Sequence, residues 1–121
     1  MTSICSGILV NSGHLLENLV FTALRRVTPD IFYYRTKAGR KVDFIAGRQG
    51  HSCMLVQVCE SIADPKTRNL EIRALAAAMT ELKLSQGTIV TRNQEEQIQV
   101  DSGRINVVPV WRFLLNLPET V

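Results

Sequence analysis

At 121 residues the chain is long enough to close one hydrophobic core and short for two, so a single domain is expected. Its apolar fraction of 45% and charged fraction of 21% lie near the averages for soluble globular domains. No apolar run reaches the ~18–20 residues of a membrane span, and MTSICSGILVNSGH lacks the basic start and apolar length of a secretory leader, so a cytoplasmic location is expected.

Residues 1–12 read as an N-terminal extension and residues 13–118 as the domain. Leu15, Leu16, Leu19, Val20, Ala23 and Leu24 recur at helical spacing. Residues 13–27 are therefore expected to form an amphipathic helix with Ser12 as its cap, ended by Thr28-Pro29-Asp30. The aromatic and branched run from Ile31 to Thr36 suits a strand. A turn at Ala38-Gly39 leads to a second strand, Val42 to Ala46. A turn at Gly47-Arg-Gln-Gly50 leads to a third, Cys53 to Cys59. Short connections of this kind predict an antiparallel meander.

Asp64-Pro65 is a helix start, with Asp64 as cap and Pro65 in the first turn. This helix should run to about Lys83, with Leu75, Ala78, Met79 and Leu82 facing inward. Gly87 is expected to stop the connection before a short buried strand, Thr88–Thr91. Gln97–Val100, the turn Asp101-Ser102-Gly103 and Ile105–Val110 predict a hairpin. Trp111 to Leu117 should close the chain as a short helix ended by Pro118. The order α-β-β-β-α-β plus a hairpin defines an α/β domain with helices packed on a mixed sheet.

Cys5, Cys53 and Cys59 form no CxxC pair and have no His–Cys spacing that suggests zinc. Buried, reduced thiols are the expectation. The net charge of +3 is mild, but Arg35, Lys37, Arg40 and Lys41 cluster in RTKAGRK. Such a run can meet phosphate, or can simply be a solvated hairpin.

The stretch from Arg35 to Glu60 carries the candidate chemistry. An Asp, then ~10–20 residues on a Glu or Gln, then a Lys two residues later can hold a hard divalent ion through oxygen ligands and place a base beside it. Asp43 opens an apolar strand, where an unpaired charge is costly and implies a partner or a metal. Gln57 could offer an amide oxygen as a second, weaker ligand, and strand alternation puts Cys59 on its face. A thiol at position 59 supplies no positive charge. Glu17 is a third acidic candidate, His14 could approach the same pocket, and Arg68 could project over the sheet toward phosphate. Each has a plainer alternative. Asp43 could pair with Arg35, Lys41 or Arg68, Gln57 could be an amide satisfied by backbone, and Arg68 could pair with Glu71 or Glu60. Glu17 and His14 could be surface residues.

The segments GHLLENLVFTALRR (13–26), IFYYRTKAGRKVDFIA (31–46), LVQVCESIADPKTRNLEIRALAAAM (55–79), GTIVT (87–91) and INVVPVWRFLL (105–115) carry a resemblance. The chain resembles the domain of unknown function that forms the C-terminal part of many prokaryotic AAA-type P-loop ATPases. That domain is similar in turn to the restriction-endonuclease-like fold of the PD-(D/E)XK nuclease superfamily, which includes Holliday junction resolvases. The resemblance implies Glu17 as the first-helix acid, Asp43 as the metal-binding Asp and Gln57 in the Glu/Gln position, with Cys59 in place of the Lys. Arg68 or Lys66 would be the basic residue recruited from the neighbouring helix, although Arg stays protonated and is a poor base.

No G-x-x-x-x-G-K-[ST] run is present, so ATP hydrolysis is not assigned to these residues. The expected function is that of a catalytically degenerate nuclease-like domain. It would serve as a nucleic-acid-binding or interaction module associated with an ATPase, and it requires no cofactor. The alternatives are an active nuclease dependent on Mg²⁺ or Mn²⁺, with the metal on Asp43 and Gln57, and a purely structural protein-docking domain.

Overall fold

In the computed structural model, which describes residues 12–47 and 53–117, the first apolar stripe winds into α1 (Ser12–Val27). Pro29 cannot continue the helix. The last turn closes with Thr28 N–H on the Leu24 carbonyl (2.9 Å), and the Thr28 hydroxyl accepts the N–H of Asp30 (3.0 Å). Strands β1 (Ile31–Arg35), β2 (Lys41–Ala46) and β3 (Met54–Val58) follow as an antiparallel meander, as the short connections predict. Cys53 and Cys59 flank β3, each partly buried. Cys5, the side chain of Ser12, and the expected turn beyond Gly47 lie outside the described residues.

Helix α2 (Pro65–Leu82) starts where Asp64 and Pro65 direct it, with Asp64 Oδ2 accepting the N–H of Thr67 at 3.0 Å. It ends on Lys83, whose left-handed backbone (φ 58°) lets the N–H of Leu84 reach the Met79 carbonyl at 2.8 Å. Strands β4 (Gln86–Thr91), β5 (Glu96–Val100) and β6 (Gly103–Pro109) and helix α3 (Val110–Asn116) complete the chain. The six strands form one mixed sheet in the order β1-β2-β3-β4-β6-β5. Pairs β3–β4 and β4–β6 are parallel, and α2 is the crossover that the first of them requires.

Consecutive residues of a strand face opposite sides, so the sheet feeds two cores. On one side Val42, Leu55, Ile89 and Ile105 meet Leu75, Ala78 and Met79 of α2. On the other, Phe44, Val56 and Val90 meet Val20 and Leu24 of α1 and Phe113 of α3. Leu82 is partly buried against the α2 core.

Three details depart from the sequence expectations. α1 buries only the stripe Leu16, Val20, Leu24 and Val27, leaving Leu15 and Leu19 at 41% and 45% exposure, because the covering helix α3 has just seven residues. Gly87 does not stop the connection but lies inside β4, where a Cβ would come within 3.0 Å of the Leu75 side chain. Strand β2 carries a bulge. Phe32 pairs with Ile45 and Tyr34 with Val42, so Asp43 and Phe44 together oppose Tyr33.

Candidate functional site

The bulge sets the geometry around Asp43. Val42 and Ile45, three apart, both join the α2 core, and the residues between them leave the regular alternation. One register step beyond the Phe44–Val56 pair, side chains replace the backbone ladder. Asp43 Oδ2 accepts the N–H of Val58 at 2.8 Å, Gln57 Oε1 accepts the N–H of Asp43 at 2.9 Å, and Gln57 Nε2 donates to the Lys41 carbonyl at 3.4 Å. Gln57 is only 5% exposed. Both ends of its amide meet backbone groups. Burial pushes the Asp43 carboxyl above its usual range and the charge of Glu17 adds to this, while the Val58 N–H and Lys41 oppose it.

A residue that the sequence offered only as an ion-pair partner for Arg68 completes the cluster. Glu71 of α2 approaches Gln57, one of its carboxylate oxygens (Oε1) is buried without a hydrogen-bond partner, and its carboxyl is pushed up by burial and by the charge of Asp43. The signal was present in the spacing. Glu71 lies one turn before Leu75 and two before Met79, on the stripe that α2 turns to the sheet.

Cys59 sits at the same end of β3. Burial raises its thiol, the charge of Glu71 raises it further, and its Sγ donates to the Ser61 carbonyl at 3.1 Å. A thiol held up in this way stays protonated, and it is neither a cation nor a reactive nucleophile.

The remaining candidates disperse. Arg68 forms a two-pronged pair with Glu96 of β5, at 2.7 and 2.6 Å, and not with Glu71 or Glu60. Glu60 instead pairs with Arg92. Lys66 and His14 are exposed near the starts of their helices. Glu17 is half-buried and borders an open pocket of about 450 Å³ together with Asp43, Lys41, Phe32 and Tyr33.

The basic cluster lies on the β1–β2 hairpin at the sheet edge. Arg35, Lys37 and Lys41 are exposed and Arg40 half-exposed. Among the described residues none of the four makes a salt bridge. The hairpin is fastened to α2 through Glu81, which accepts the Tyr34 hydroxyl at 2.6 Å and the N–H of Lys37 at 3.0 Å.

The resemblance implies a divalent cation on Asp43 and Gln57. These two side chains would supply one carboxylate and one amide oxygen. Each already accepts a backbone N–H through an oxygen, and Gln57 brings no charge to a site that usually needs one or two carboxylates. Among the described residues no three His, Cys, Asp or Glu side chains form a group that could hold a metal ion.

The fold and this site define a mixed α/β domain whose polar cluster lies at one end of the meander. The chain belongs to the family of domains of unknown function called DUF4143, which matches residues 12–113. It is also similar to an uncharacterized protein of Methanocaldococcus jannaschii, at 36% identity over 114 residues that cover 87% of this chain. The chain spans 25% of that relative's length. No solved structure matches it. No helix among the described residues is long and apolar enough to cross a membrane.

Proposed function

We propose that this domain is a restriction-endonuclease-like fold of the PD-(D/E)XK type that has lost catalysis and serves as a nucleic-acid-binding module. In a longer protein it would be joined to an AAA-type ATPase, the setting that its sequence resemblance implies. One observation carries the loss of catalysis. The position that would need a cation beside Asp43 and Gln57 holds the Cys59 thiol, raised by burial and turned to the Ser61 carbonyl. Arg68, the candidate substitute, is committed to Glu96. Binding is favoured by the hairpin cations, none of which makes a salt bridge among the described residues, so that they can meet phosphate.

The test is direct. The purified domain is incubated with duplex, junction and single-stranded substrates in Mg²⁺ or Mn²⁺, and binding is followed by anisotropy as salt is raised. The expected result is no cleavage, with binding that weakens with salt and weakens further when Arg35, Lys37, Arg40 and Lys41 are replaced by Gln. Metal-dependent cleavage that disappears in Asp43→Ala would establish the active-nuclease alternative. Absence of any binding would favour the protein-docking alternative.

A further inference from the structure

Strand β1 is one of the two edges of the sheet, and it displays two large rings there. Phe32 is 62% and Tyr33 65% exposed. Exposed aromatics on an edge strand invite unwanted pairing and need a reason. Both border the pocket that reaches Asp43, and Lys41 Nζ sits 5.9 Å from the centre of the Tyr33 ring. The cations of the hairpin begin two residues further on, at Arg35.

Resting on the nucleic-acid reading above, we infer that this edge takes single-stranded nucleic acid, with bases stacked on Phe32 and Tyr33 and phosphates on Arg35, Lys37, Arg40 and Lys41. Rings beside cations are the two components that sequence-tolerant single-strand binding combines, and Lys41 lines the pocket together with both rings. A base inside a duplex shows only its edge and cannot lie on a ring, so the aromatic pair is useful only to an unpaired strand. Charge fixes the polarity of binding. Glu17 and Asp43 line the same pocket and repel phosphate, which directs the bases to the rings and the backbone out over the hairpin. The hairpin is held for this by the bonds from Tyr34 and Lys37 to Glu81, which fix the spacing between rings and cations before any ligand arrives.

The experiment compares a labelled oligothymidine with a labelled duplex in anisotropy titrations at low salt. It uses the unaltered domain, the double variant Phe32→Leu/Tyr33→Leu, and a hairpin variant with all four cations changed to Gln. Leu keeps the edge apolar but removes the stacking face, and circular dichroism confirms that the variants fold. The inference expects tighter binding of the single strand, about tenfold or more lost in the Leu variant, and unchanged weak duplex binding in that variant. Equal or tighter duplex binding, or single-strand binding untouched by Leu, overturns the single-strand assignment and leaves the nucleic-acid reading standing. No binding of either ligand overturns both.

Discussion

Gln57 and Asp43 hold each other through the backbone. The Gln57 amide oxygen accepts the N–H of Asp43 at 2.9 Å, and the Asp43 carboxylate accepts the N–H of Val58 at 2.8 Å. Removing the amide leaves the Asp43 N–H without its acceptor and Glu71 without the Gln57 side chain that opposes its rise. Gln57→Leu is therefore expected to destabilise the domain by about 1–3 kcal/mol, the cost of an unmet buried polar group. A urea denaturation midpoint equal to that of the unaltered domain would refute this.

Stability should also depend on pH through Glu71. Burial and the charge of Asp43 raise its carboxyl in the folded state, so between the ordinary carboxylate range and the raised value the folded chain binds more protons than the unfolded one. The stabilising share of this group is then fully present below the unfolded value and is lost as pH rises through the folded one. Glu71→Gln removes that loss. It should raise stability at about pH 7.5 by on the order of 1 kcal/mol, allowing for solvent screening on its exposed side, and the gain should shrink toward about pH 4. Urea midpoints of both proteins at the two pH values decide it. The opposite contributions of Glu81 and Glu96, whose carboxyls are lowered by their hydrogen bonds to Tyr34 and Arg68, cancel in the difference, and a gain independent of pH would sink the idea.

Two glycines should respond differently to alanine. Gly103 has φ 152°, and a Cβ there would lie 2.0 Å from the Ser85 carbonyl oxygen, a backbone atom that cannot move aside and that also accepts the N–H of Arg104. Gly103→Ala should cost roughly 3 kcal/mol or more through strain and displaced backbone. At Gly87 the nearest atoms are side-chain atoms of Leu75 and Met79, at 3.0 and 3.1 Å, which can shift, so Gly87→Ala should cost about 1–2 kcal/mol. Thermal unfolding of the two variants should give that ranking, and equal losses would contradict it.

Much of the frame was legible because short-range signals decide it. Asp64-Pro65 marks the start of α2, the short connections mark the meander, and Asp101-Ser102-Gly103 marks the last hairpin. The bulge at Asp43–Phe44 was not legible, since it appears only against the register of β1, a strand pairing that residue types do not encode. Arg68 carried three candidate partners in sequence, and only the pairing of β5 with β6 brings Glu96 to it. Glu71 was readable from its place one turn before Leu75, but Arg68 three residues earlier offered it a plain ion-pair role. The exposure of Phe32 and Tyr33 depends on β1 being an edge, and strand order is fixed by long-range packing.

The parallel placement of β4 between β3 and β6 has a consequence for how the chain assembles. The meander of β1, β2 and β3 and the hairpin of β5 and β6 each close over short loops, whereas β4 gains its two neighbours only after α2 has crossed the sheet on one side and the hairpin has returned on the other. Local pairings form quickly and distant ones slowly. The sheet is thus two locally coded halves, and β4 is the single strand that joins them into one domain.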